Sequence, residues 1–213
     1  MISAAGGVAG CVIRVLGVCG SLQRRSANRA ALDVVYEATS SWDANVDDFD
    51  DLARIPPFDA DRVDEPIDVL ADWRLRVDAA DVIVIAAPEY AGALAGVIKN
   101  ALDWLVGSGN LYRKPVVIVS AGTSGGGYAR QQLAQTLTWQ GAYVVAELGI
   151  GLPRTKSDAD GRITDETTIA GLVSVADVAL EATSMSGSDL VDHARRVVEP
   201  LGIDVAHLAP AAA

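Results

Sequence analysis

The chain has 213 residues, half of them hydrophobic, enough to bury one full core, or one core with an appendage. Its net charge of −11 excludes broad electrostatic attachment to nucleic acid or to an anionic membrane. An anionic ligand must be held by a focused site. The two cysteines, Cys11 and Cys19, lie too close in sequence to frame a disulfide scaffold, and they point to a reducing compartment.

Residues 1–11 are rich in Ala and Gly, lack a basic n-region and read as a flexible leader. Arg14 and the nearby glycines interrupt the following apolar run, so a membrane span is not expected. Val12 to Val18 reads as the first strand, and about Asn28 to Ser40 as the first helix. Asn45 to Phe49 is a weak second strand, followed by a Pro-broken loop over Leu52 to Asp59. A helix from about Glu65 to Ala79 carries Val69, Leu70, Trp73 and Val77 on one stripe. Val82 to Ala87 is a continuous β-branched run, typical of a parallel strand covered on both faces. A helix follows from about Gly96 to Val106, then a strand over Val116 to Ser120. The chain continues with a helix from about Tyr128 to Gln140, a strand beginning at Tyr143 to Ala146, and a helix from about Thr167 to Ala182. This alternation predicts an α/β domain over residues 12–185 with a doubly wound parallel sheet. Residues 186–213 form a helical tail whose amphipathic stretch, Asp189 to Glu199, suits either the parent domain or a partner subunit.

In such sheets ligands bind outside the carboxyl ends of the strands. Three loops of unusual chemistry fall there. The first runs from Gly20 to Arg29. It joins a strand to a helix start, whose unpaired N–H groups and positive dipole end favour phosphate. Ser21, Ser26 and Asn28 add neutral donors, and Arg24 and Arg25 add charge. Ser26 or Asn28 would also serve as an ordinary helix cap. Neither GxGxxG nor the Walker pattern is present, which favours a mononucleotide phosphate over an adenine dinucleotide in this crevice. The second loop, Pro88-Glu89-Tyr90-Ala91-Gly92, offers an aromatic ring and a backbone open to close approach. The third, Gly122 to Gly127 after Ser120, can aim backbone N–H groups at a flat heteroaromatic ring. Either of these two would also suit a plain strand-to-helix turn.

These segments resemble the NADPH-dependent FMN reductase family, a flavodoxin-like group that includes quinone, chromate and azo-dye reductases. Gly20-Ser21-Leu22 with Ser26 and Asn28 is similar to its phosphate loop. Pro88-Glu89-Tyr90 followed by Gly96 to Trp104 is similar to its second motif, and Ser120 with Gly122 to Gly127 to its third. Asp160 to Asp165 resembles the segment before its last helix. The likeness covers about residues 12–182.

The resemblance implies a five-stranded flavodoxin-like sheet of order 2-1-3-4-5 and non-covalent FMN. It places the phosphate in the first loop and the isoalloxazine against Pro88, Glu89, Tyr90, Ala91, Ser120, Gly122, Gly125 and Gly126. It further implies NADPH or NADH as co-substrate, a small electron acceptor, a cytoplasmic setting, and a homodimer or homotetramer with Trp104 near the interface. The chain departs from the pattern at three places. Gln23 stands where the family has Arg, so Arg24 or Arg25 would meet the phosphate. Ala91 replaces Asn and removes a side-chain amide, and Ala95 replaces Pro.

The chemistry is expected from FMN, because His193 and His207 lie in the tail and no nucleophile–His or metal constellation is visible. Arg154 and Lys156 are candidates, by charge and position, for the 2′-phosphate that separates NADPH from NADH. Cys19, Trp42 and Trp139 read as packing residues, Lys99–Asp103 as a helix-surface pair, and Asp158 to Gly161 as a solvated turn. Two other functions share this pattern: an electron carrier without nicotinamide turnover, and a regulatory domain that has lost its flavin.

Overall fold

The computed structural model describes residues 12–206 and 208, so the leader, Cys11 and His207 lie outside the described residues. Five strands, β1 (Ile13–Cys19), β2 (Ala44–Phe49), β3 (Val82–Ala86), β6 (Pro115–Gly122) and β7 (Tyr143–Gly151), form one sheet. Its order is β2-β1-β3-β6-β7 with every pairing parallel, the doubly wound arrangement expected. A second, two-stranded sheet, β4 (Glu89–Tyr90) with β5 (Ala93–Leu94), was not foreseen. The helices are α1 (Ala27–Thr39), α2 (Asp68–Ala79), α3 (Gly96–Asp103), α4 (Gly127–Trp139), α5 (Glu166–Ala182) and α6 (Gly187–Val198).

Strand alternation divides the core in two. Ile83 and Ile85 of β3 face a layer containing Leu70, Trp73, Ile98, Leu102, Leu133 and Leu137 from α2, α3 and α4. Val82, Val84 and Ala86 face Leu32, Val35, Leu172 and Val175 from α1 and α5. Side chains of successive strand residues point to opposite faces, so a strand covered on both sides must be apolar throughout, as β3 is.

The tail helix α6 closes the edge strand β7. Leu190, Val191 and Ala194 join the α1/α5 layer, while Val198 joins the α2/α3/α4 layer, so α6 with its exit crosses the sheet edge. Val145 is the extra residue of a bulge opposite Val116–Val117. Its carbonyl accepts a hydrogen bond from His193 Nε2 at 2.7 Å. The amphipathic stretch therefore belongs to the parent domain, and an open strand edge is covered.

Both β6 and β7 run further than their sequences suggest. β7 carries Glu147, Gly149 and Gly151, residues with little β preference, yet Leu148 to Gly151 pair with Val119 to Gly122. The ladder with β6 overrides local propensity and brings Ser120 and Gly122 to the sheet's carboxyl edge.

Candidate functional site

The three loops meet at that edge. In the first, β1 ends at Cys19 and the Gly20 N–H donates to the Ala86 carbonyl at 2.7 Å. A Cβ at residue 20 would lie 2.5 Å from the Ile98 side chain, so any larger residue there would have to displace Ile98 from the core. Ser21 Oγ accepts from the Gln23 N–H at 3.4 Å, and Ser26 Oγ caps α1 by accepting from the Asn28 N–H at 3.2 Å. The N–H groups of Leu22, Arg24 and Arg25 have no acceptor among the described residues. The first turn of α1 holds no acidic side chain. Free N–H donors beside a positive helix end make an anion cradle.

The side chains divide between gripping and bracing. Arg25 leans away to Asp160 at 3.5 Å, with both groups largely exposed. Arg24 has no ion-pair partner among the described residues and is the cation left for the cradle. Gln23 is exposed at its rim. Asn28 corrects an expectation, since its amide is not a spare donor. Nδ2 donates to the Ala121 carbonyl at 3.0 Å and Oδ1 accepts the Ala121 N–H at 2.9 Å, with the residue 3% exposed. Asn28 therefore fastens α1 to the end of β6 and joins the first loop to the third. Beneath them, Arg29 binds both oxygens of Asp48 at 2.7 and 2.8 Å, and the Tyr36 hydroxyl donates to Asp48 at 2.7 Å. Burial and this donated bond push the Tyr36 phenol well above its ordinary range. Burial also raises the Cys19 thiol, which keeps it protonated and unreactive at neutral pH.

The second loop is a hairpin with a two-residue turn. Ala91 and Gly92 have φ of 52° and 72°, the positive pair that a type I′ turn requires. Asn-Gly is the preferred sequence for that turn, so a backbone demand accounts for an Asn at position 91 without any contact to a ligand. Glu89 likewise turns inward. Its Oε2 accepts the Tyr128 and Ala129 N–H groups at 2.8 and 3.1 Å, and its Oε1 accepts Ser124 Oγ at 3.3 Å. Its carboxylate occupies the N-terminus of α4 and locks the second loop to the third. Tyr90 is 58% exposed beside Pro88 and Ala91 and is free to meet a planar ligand.

In the third loop Ser120 is fully buried and donates to the Ala87 carbonyl at 2.6 Å, so it ties two strand ends together and offers nothing outward. Gly126 has φ of 66°, and a Cβ there would fall 1.9 Å from Ser120 Oγ. Gly125 turns back to the Gly122 carbonyl at 3.0 Å, and its own carbonyl accepts from Arg130 Nε at 3.1 Å. Arg130 also pairs with Glu147 and braces the loop from below.

Arg130 and Gln132, whose Oε1 accepts the Leu94 N–H at 2.9 Å, were missed in the sequence. Both sit on α4, where no motif marks them: Arg130 supports the third loop just before that helix, and Gln132 reaches back to the second. Trp104 is also placed differently. It is 1% exposed and donates to the Pro56 carbonyl at 2.9 Å, so it is a core residue rather than an interface anchor. Trp139, read as packing, is 67% exposed. Lys99 and Asp103 do form their helix-surface pair at 2.6 Å, and Asp158 to Gly161 is a turn closed by Asp158 Oδ1. Among the described residues no group of His, Cys, Asp or Glu is arranged to hold a metal ion, and no helix is long and apolar enough to cross a membrane.

The doubly wound sheet and the anion cradle at its switch point define a flavodoxin-like protein of the mononucleotide-binding class. Residues 13–155 match the family model described as NADPH-dependent FMN reductase. The chain is 31% identical over 183 residues to a NAD(P)H:quinone oxidoreductase of Solanum tuberosum, covering 82% of this chain and 94% of that protein. It is 33% identical to a NAD(P)H-dependent FMN reductase of Pseudomonas aeruginosa, over 72% of this chain and 86% of the relative. Among solved structures, a flavoenzyme NAD(P)H:(acceptor) oxidoreductase from Paracoccus denitrificans superposes with a TM-score of 0.70 at 24% identity, over 80% of this chain and 96% of that one. The chain belongs to the NADPH-dependent FMN reductase family and is an oxidoreductase of the FMN and NAD(P)H class.

Proposed function

We propose that this protein holds FMN at the three loops and passes electrons from NAD(P)H to a small acceptor of the quinone class. The cradle at the start of α1 carries the reading, because its free donors and unpaired Arg24 suit a phosphate monoester in a chain that is otherwise strongly anionic. When bound, FMN supplies the two-electron exchange with nicotinamide. The N–H groups of Leu22, Arg24 and Arg25, the Arg24 guanidinium and the Ser26 hydroxyl hold the phosphate. Ser21 shapes the turn, and Asn28 keeps the cradle in register with the third loop. Tyr90 and the Gly122–Gly127 backbone frame the ring. Glu89, Ser120 and Arg130 act one layer behind by holding these loops together. The quinone class is taken from the named activity of the Solanum relative. A homodimer or homotetramer is part of the proposal, with light scattering of the purified protein as its check.

Purified protein loaded with FMN is expected to be yellow and to bleach on anaerobic mixing with NADPH, then to recover colour when a benzoquinone is added. Protein that retains no FMN would refute the reading. A yellow protein unchanged by NADPH and NADH would make it an electron carrier instead.

A further inference from the structure

A groove of about 1130 Å³ lies between α1 and the connection from β7 to α5. It adjoins the cradle through Gln23, Arg24 and Arg25, and it adjoins the third loop through the chain that follows β7. There the Leu152 N–H donates to the Thr123 carbonyl at 3.4 Å and Gly151 bridges to Ser124. Leu152 itself is held at φ of 50° with its side chain 57% exposed, a strained position of the kind found at ligand clamps. The strained residue leads into the 3₁₀ turn Pro153–Lys156.

The charge distribution gives this groove its chemistry. Most of the 17 lysines and arginines are engaged by carboxylates or carbonyl oxygens. Arg154 and Arg162 line the groove with guanidinium groups that have no partner among the described residues. The carboxylates beside them, Asp158 and Asp160, are each engaged through one oxygen. Asp158 Oδ1 accepts the Asp160 and Arg162 N–H groups at 2.9 Å, and Asp160 is paired with Arg25. Asp33 and Glu37 line the α1 wall and would repel a phosphate there, which leaves the Arg154 and Arg162 side for an anion. Lys156, the other candidate by sequence, acts electrostatically on Asp165 at the start of α5 and is not part of the lining.

We infer that Arg154 and Arg162 form the seat of the 2′-phosphate of NADPH, with the adenosine in the groove, and that they set a preference for NADPH over NADH. This inference rests on the proposed function, because it assigns the distal half of the same co-substrate. A phosphate monoester is matched by guanidinium forks, and NADH lacks that group altogether. Removing one charge-assisted contact costs a binding partner about a factor of ten or more.

The test uses the FMN-loaded protein and the variants Arg154→Ala, Arg162→Ala and the double variant. Calorimetric titration with 2′,5′-ADP, against 5′-ADP as the control lacking a 2′-phosphate, reads the seat without any turnover. The expected result is binding of 2′,5′-ADP well above 5′-ADP, weakened about tenfold by each substitution. In the kinetics, KM for NADPH rises by a similar factor while KM for NADH and the bound FMN content stay unchanged. Equal affinity for the two nucleotides in the wild type, or parallel changes in both KM values, would overturn the inference. Failure of the wild type to retain FMN while 2′,5′-ADP still binds would instead fault the FMN reading and leave the seat supported.

Discussion

Replacing Asn28 by Ala tests how the site is held together. The amide makes two hydrogen bonds of 2.9 and 3.0 Å to the main chain of Ala121, at residues 3% and 5% exposed. Truncation removes both and leaves a buried N–H and a buried carbonyl unpaired. Each orphaned group costs about 1–3 kcal/mol, and water entering the small space vacated recovers part of it, so the loss is about 2–4 kcal/mol. For a chain of this size that is a fall in Tm of about 5–15 °C, read by circular dichroism at 222 nm. Asn28→Asp keeps the shape but turns the donor into an acceptor facing the Ala121 carbonyl, and it should fall at least as far. The cradle and the third loop would also lose their common register, so FMN should dissociate more readily from either variant. A Tm within about 2 °C of wild type would show that Asn28 does not fasten α1 to β6, and the reasoning would fail.

Three further outcomes follow from other parts of the fold. Ala91→Asn should raise Tm by about 2–4 °C, since an L-residue with a bare methyl group spends about 1 kcal/mol in the left-handed region that Asn tolerates; an unchanged or lower Tm would count against the type I′ turn. Asp81 is pushed up by burial, but the Arg14 N–H, the Arg14 guanidinium and Lys114 outweigh this and hold it below the ordinary aspartate range. A lowered folded value means that its contribution is complete above about pH 4 and is lost as pH falls through it, so the Tm gap between wild type and Asp81→Asn should be steady at pH 5–7 and close on further acidification. A gap that widens in acid would contradict the assignment. Ending the chain at Met185 strips α6 from β7 and exposes a long edge strand, and the truncated protein should aggregate at concentrations where the full chain remains monodisperse by light scattering.

The sheet was legible because its central strands are apolar without alternation and its helices carry single stripes, both direct consequences of burial. β4 and β5 were not legible, because two-residue strands have no period and their turn uses Ala91 where the signal would be Asn. The meeting of the three loops at one edge of the sheet was legible from the strand and loop order, but the contacts of their residues were not. Asn28, Glu89 and Ser120 look like ligands in sequence, since each is a polar residue in a functional loop. In the fold each spends its polar atoms on the backbone of a neighbouring loop. Those bonds span 33 to 93 residues of sequence, a range over which no local pattern carries information. The two arginines beside Gln23 are also distinguished only by a long-range contact. Arg25 is drawn off by Asp160, and Arg24 remains.

The proposed function stands or falls with a phosphate grip at the start of α1. It is tested most directly by titrating the apoprotein with FMN and with riboflavin, which differ only in that group, and following flavin fluorescence. FMN should bind at least about a hundredfold more tightly than riboflavin, with most of that margin lost in Arg24→Ala. Equal affinity for the two flavins would contradict it.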